Sequence, residues 1–402
     1  MGKLGSKTIA AALTAPAFGL AFSALSTGTA FAQEDTVTVG FPVALSGFVA
    51  PYDDGPRKAA LLAIDDINAK GGLLGKKIVT VESDTKSDPG QGATAATDVL
   101  SQGARMVMVT CDFDYGAPAA LVAESQNVIA FSSCAADPKF GVQGIGKNAY
   151  TMSTTTVSQG ATLADWAFKD SGFKTVYLLK DTMVEYTKSL CDSFETRWTE
   201  LAGADSIVGR DTFHGLNDTS IAGQISRLKA TDPQPDFVLF CGAINGASAV
   251  RQIRAAGIDL PLVASESMDG AYWLEAVPNL SDFYVAVYGS AYGNDPDAAV
   301  NDFVKRFTEK FGAAPVTGHA LTGYSVIEAW AKAVERANSF ETDAVRAELD
   351  KLNGEALLIG RTSFTPELHI NVDRPMLIMK IVNGKHEPVG RFVTEKLPEV
   401  KF

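Results

Sequence analysis

Beyond residue 32 the chain has no apolar run of the length needed to cross a bilayer, so that part is expected in the aqueous phase. Basic charge is also short: 35 Lys and Arg face 47 Asp and Glu, a net −12 at pH 7. An acidic, dispersed surface argues against nucleic acid and anionic lipid as partners. Cysteine and histidine are scarce, with four of each. Neither close cysteine spacing nor a Cys/His cluster occurs, so no metal and no other cofactor is expected. Patterns for a nucleophile elbow, a zinc protease and a phosphate-binding loop are absent outside the leader. Serine hydrolysis needs a histidine and an acid beside a serine on a sharp strand-to-helix turn. His214 follows a strand, His319 caps a helix and His369 lies in the tail, so an enzyme is not expected.

Residues 1–32 read as a targeting segment. Lys3 and Lys7 form a basic start, Ile9–Leu25 is small and apolar, and Ala30-Phe31-Ala32 precedes Gln33 as a cleavage site would. The first cysteine is Cys111, which excludes lipid attachment at that junction. Cleavage would take two lysines and no acid, moving the net charge from −12 to about −14. Roughly 370 residues then remain, more than one ordinary core holds, which predicts two lobes. The predicted location is the periplasm.

From Thr36 to about Gly289 strand-like and helix-like segments alternate. Such alternation predicts parallel sheets with helices on both faces. Ligands bind such sheets at the carboxyl ends of strands, which selects the loops after Val43, Thr110, Phe131, Leu179, Phe240 and Val263. Cys111 and Cys134 each follow a buried-strand run, and they sit at one sheet edge if those strands are neighbours, close enough to bridge. Cys191 and Cys241 are the second candidate pairing. The tail carries two strand-like runs joined by Asn383-Gly384, a hairpin turn.

The segments LSGFVAPYDDGPRKAALLAIDDINAKGG, SDPGQGATAATDVL, VRQIRAAGI and FVKRFTEKFGAAPVTGHALTGYSVIEAW resemble, in order and spacing, the branched-chain amino-acid-binding family of ABC transporter substrate-binding proteins. The resemblance implies two doubly wound α/β lobes joined by three crossing strands, the type I periplasmic binding fold, closing on solute by hinge bending. Crossings are expected near Ser153–Thr156, Tyr288–Ala291 and Phe364–Pro366. Lobe 1 would hold residues 33–153 and 290–363, and lobe 2 residues 156–287 and 366–402. The implied partners are a small solute and an inner-membrane ABC permease, with the receptor a monomer. A sensor presenting solute to a signalling receptor is the alternative.

The family holds a ligand carboxylate on first-lobe hydroxyls and N–H groups, and an ammonium on a second-lobe acid. Matching positions are Tyr52 as a covering aromatic, Tyr186 as a rim aromatic, and Glu266 as the acid, with Asp269 competing. Where hydroxyls are usual the first lobe instead has Cys111-Asp112-Phe113-Asp114-Tyr115 and Ser132-Ser133-Cys134-Ala135-Ala136. Either Asp112 faces solvent and N–H groups of 112–114 and 134–136 hold an acid, or the acids face the cleft. In the second case the solute is a cation, an amide or a polyol. Phe113 and Tyr115 add stacking surface, and Ser132 and Ser133 are donors under either reading.

Overall fold

The structure, a computed structural model, describes residues 36–397 and 399–400. The leader and its cleavage site lie outside the described residues. Five strands form the first sheet: β1 (Thr36–Val43), β2 (Lys77–Asp84), β3 (Ala104–Val109), β4 (Ile129–Ser132) and β5 (Ala149–Thr151). They pair in parallel in the order β2-β1-β3-β4-β5. The runs MVMV of β3 and IAF of β4 are apolar because helices cover both sheet faces. The crossovers are α1 (Ala50–Ala69), α2 (Pro89–Ser101) and α3 (Phe113–Ser125).

After α4 (Thr156–Asp165) the winding repeats. The second sheet contains β6 (Val176–Asp181), β7 (Ile207–Phe213), β8 (Phe237–Cys241), β9 (Leu262–Ala264) and β10 (Phe283–Val287), in the spatial order β7-β6-β8-β9-β10. Helices α5 (Glu185–Ala202), α6 (Ala222–Ala230) and α7 (Gly246–Ala255) connect them. In both sheets the order reverses beside the first strand, and the crevice at such a switch point is where ligands bind.

The chain then returns to the first sheet. Helices α8 (Ala298–Phe311) and α9 (Ala320–Ala337) pack on α1, and α10 (Thr342–Leu349) packs on α9. A small ribbon of β11 (Glu355–Leu357) and β12 (Gly360–Thr362) follows. Finally β13 (Met376–Val382) and β14 (Lys385–Phe392) extend the second sheet antiparallel beside β10. Their turn is Asn383-Gly384 with φ of 50° and 73°, as a two-residue hairpin requires.

Helix α1 begins at Ala50; Pro51 sits in its first turn, where a missing N–H costs nothing. Helix α3 begins at Phe113, because Asp112 caps it by accepting from the Asp114 N–H at 2.8 Å. Phe364 packs on Phe131 and Tyr150 of the first sheet, and Asn371 is the residue that pairs with Thr154 and Thr155.

Candidate solute-binding site

A cavity of about 470 Å³, partly open to solvent, lies where the strand-end loops of the two sheets converge. All six loops selected from the sequence reach it. Tyr52 comes from the segment after β1, Cys111 and Asp112 from that after β3, and Cys134 from that after β4. From the second sheet come Tyr186 after β6, Ala243 after β8 and Glu266 after β9. His319, just before α9, completes the wall. Gly318 allows that approach, since a Cβ there would sit 2.2 Å from the Gly289 carbonyl oxygen.

The floor is apolar and the charges are few. Strands β3 and β4 are neighbours, and Cys111 and Cys134 are joined by a disulfide with Cα atoms 4.9 Å apart. Cys191 and Cys241 are free and buried. Glu266 is 3% exposed and pairs with the Nε2 of His319, itself 2% exposed. The other ring nitrogen, Nδ1, is 3.0 Å from the Thr317 hydroxyl. Tyr288 donates to Glu266 at 3.3 Å, and the Glu266 N–H donates to the Tyr186 hydroxyl oxygen at 3.1 Å. A buried ion pair survives only with such satisfied neighbours, because each charge has lost its water.

Contacts between the two sheets' loops recur around the cavity. Tyr52 donates its hydroxyl to the Ser267 carbonyl at 3.3 Å. The Glu185 N–H, opening α5, donates to Asp114 at 2.9 Å, and the Gly318 N–H donates to Asp269 at 2.6 Å. Ordered burial between two strand-end crevices is the geometry of capture, and sequence comparison bears on what kind. Residues 36–386 match the model of a family described as periplasmic binding protein. The chain belongs to the periplasmic binding protein family.

Among curated relatives of this family member, Leu/Ile/Val-binding protein homolog 3 of Brucella melitensis is 25% identical over 334 residues, covering 82% of this chain and 86% of the relative. Leu/Ile/Val-binding protein BraC3 of Rhizobium johnstonii is 26% identical over 363 residues, 89% of this chain and 92% of the relative. The substrate-binding protein LivJ of Streptococcus pneumoniae, solved with isoleucine, superposes with a TM-score of 0.79 at 25% identity, covering 89% of this chain and 99% of that one. A solute-binding protein from R. palustris, solved with benzoate, has a TM-score of 0.74 at 18% identity, covering 90% and 98%; it shows the fold alone. The resemblance read from the sequence is thus met by the family and by the type I fold. These relatives are binding proteins by name. No helix among the described residues is long and apolar enough to cross a membrane.

Within this binding protein the expected site residues divide. Tyr52, Asp112, Cys134, Tyr186 and Glu266 line the cavity together. Tyr52 does so from the first turn of α1 rather than from a loop, with its ring edge-on to His319 at 6.1 Å. Phe113 instead packs against the apolar cluster between the first sheet and α2 and α3. Asp114 is spent on the Glu185 N–H. Ser132 is buried, accepting from Ala135 N–H at 2.9 Å and lying 3.4 Å from the Thr110 carbonyl it donates to. Ser133 is buried, and Ala136 belongs to the core. Asp269 holds the Gly318 and Gly270 N–H groups instead of facing the cavity. Sequence reasoning treated His319 as a plain cap and so missed it.

Titration gives a signed expectation. Burial pushes the Asp53 carboxyl up to about 7, against the Cys111 and Ala44 N–H groups it accepts, and pushes Asp269 up to about 6. Such carboxyls bind protons more tightly when folded, so stability falls as pH rises from their ordinary value through the folded one. Burial pulls His319 down, but Glu266 together with Asp269 and Asp53 leaves the imidazole above its ordinary value. Its stabilisation is full below that ordinary value and lost as pH rises through the folded one. Both effects point the same way, so the melting temperature is expected to be higher at about pH 6.5 than at about pH 8. Further acidification brings in His386, which burial holds down to about 4, with the opposite sign. A flat or inverted trend between those two pH values in a thermal scan would contradict the assignment.

Proposed function

We propose that this protein is the periplasmic solute-binding receptor of an ABC importer, trapping a small solute between two lobes and presenting it to a permease. One observation carries the reading: six strand-end loops from two identically wound sheets meet around one partly open cavity. Lobe 1 is the first sheet with α8 to α10, and lobe 2 is the second sheet with the β13–β14 hairpin. Their crossings are placed near Ser153–Thr156, Tyr288–Ala291 and Asn371–Arg374. The last is supported by Thr155 N–H donating to the Asn371 carbonyl at 2.9 Å and by Arg374 donating to the Met152 carbonyl at 2.6 Å. Tyr52, Asp112, Tyr186, Glu266 and His319 are the proposed solute contacts. Solute touches both lobes only when they are closed, so it shifts the population by its differential affinity for that state. No catalytic step is assigned to these residues.

A thermal-shift panel on dialysed protein tests the reading. A solute at 100 times its dissociation constant adds about 2.7 kcal/mol. In a chain of this size that is a rise of about 3–4 °C. Amino acids, aromatic acids, amides, polyols and small amines should include at least one such solute. A panel in which none raises the melting temperature would count against the receptor.

A further inference from the structure

Several backbone donors at the strand ends and helix starts around this cleft are occupied by the protein's own carboxyl groups. Asp53, 1% exposed, accepts from Ala44 N–H at the end of β1 and from Cys111 N–H at the end of β3, at 2.6 and 2.7 Å. Asp112 takes the first-turn N–H of Asp114 in α3. Asp114 takes that of Glu185 in α5, and Asp269 takes Gly318 N–H. The Ala135 N–H goes to the Ser132 hydroxyl. A strand end or helix start in such a fold is normally where an anion sits, and here side-chain carboxyl groups take several of those places.

No lysine or arginine lines the cavity among the described residues. Its one basic group, His319, has Nε2 on Glu266 and Nδ1 beside Thr317, so neither ring nitrogen is left for a carboxylate. Asp112 lines the same space, and the charges acting on it, those of Asp114 and Asp137, share its sign. Tyr52 and Tyr115 line the wall beside it, aromatic rings of the kind that attract a cation, while the disulfide, Val49 and Val184 present apolar surface.

Resting on the receptor reading, we propose that the solute is a small organic amine without a carboxylate, its ammonium held by Asp112 among the tyrosines and its apolar body against the Cys111–Cys134 disulfide. Burial, with Asp114 next, already holds the Asp112 carboxyl well above the ordinary range, a cost that a bound cation relieves.

Two sets matched in their apolar body and differing in charge test this by calorimetry on the leaderless protein. One is benzylamine, benzyl alcohol and benzoate; the other is 3-methylbutylamine against leucine, which differ by the carboxylate alone. Each amine is expected to bind at least about tenfold more tightly than its carboxylate-bearing counterpart, as a charge-assisted contact against a repulsive one requires. Asp112→Asn keeps a side chain that caps α3 as well as aspartate does. It is expected to erase the preference of benzylamine over benzyl alcohol while circular dichroism stays unchanged. Leucine or benzoate binding more tightly than the matching amine would overturn the inference and leave the receptor standing. An unchanged amine-to-alcohol ratio in the folded Asp112→Asn protein would overturn it equally. Failure of every probe, with no solute found in the wider panel, would overturn both.

Discussion

Replacing His319 with alanine is expected to cost about 3–5 kcal/mol in the closed form, the usual effect of leaving one member of a buried ion pair unmatched. Glu266 would remain 3% exposed with Tyr288 and Tyr186 as its hydrogen-bonding neighbours and no positive charge. The pair joins a loop after β9 of the second sheet to the segment before α9, which packs on the first. Opening the cleft would return Glu266 to water, so the penalty falls chiefly on closure and less on folding. Solute affinity is therefore expected to fall by roughly two to three orders of magnitude. The melting temperature of the solute-free protein should fall by much less than that cost implies. Removing both charges together, His319→Ala with Glu266→Leu, should recover part of the loss because no orphaned charge remains. A double-mutant cycle read by calorimetry checks this. Additive losses would show that the two side chains do not act as a pair.

Exchanging both Cys111 and Cys134 for serine is expected to lower stability by about 3 kcal/mol, from the unfolded-chain entropy released over a 23-residue separation. For a chain of this length that is a fall of about 4 °C in melting temperature. The bridge ties the loops after β3 and β4 where they form the cavity floor, so solute affinity should fall as well. Scanning calorimetry of oxidised wild type and the double variant, with thiol titration in denaturant, measures both terms. Cys191 and Cys241 should titrate as thiols in each protein. An unchanged melting temperature would mean the loops are held by their packing alone.

Much of the fold was legible because several strands carry short apolar runs and most are separated by a helix. That pattern has few solutions other than parallel crossovers. Helix starts are harder to read from composition. Pro51-Tyr52-Asp53-Asp54-Gly55 reads as a turn, yet proline in a first turn and an acid near a helix N-terminus both favour the helix. The strand-end rule found the right loops but could not say which residue in each points at the cavity. Cys134 reaches it, while Ser132, paired in register with Thr151 of β5, turns into the structure. Phe113 and Tyr115 show the same limit, two residues apart on α3 with only Tyr115 at the cavity wall. His319 was illegible for another reason. It lies 53 positions beyond its partner Glu266 on an element docked by helix packing, and no local pattern records that contact.

Capture by closure is measured most directly by small-angle scattering with and without bound solute. The solute would be the panel member that raises the melting temperature most. A smaller radius of gyration is expected on saturation, with a bound-state profile matching this structure and a wider solute-free form. An identical profile in both states, with calorimetry proving the solute bound, would contradict it.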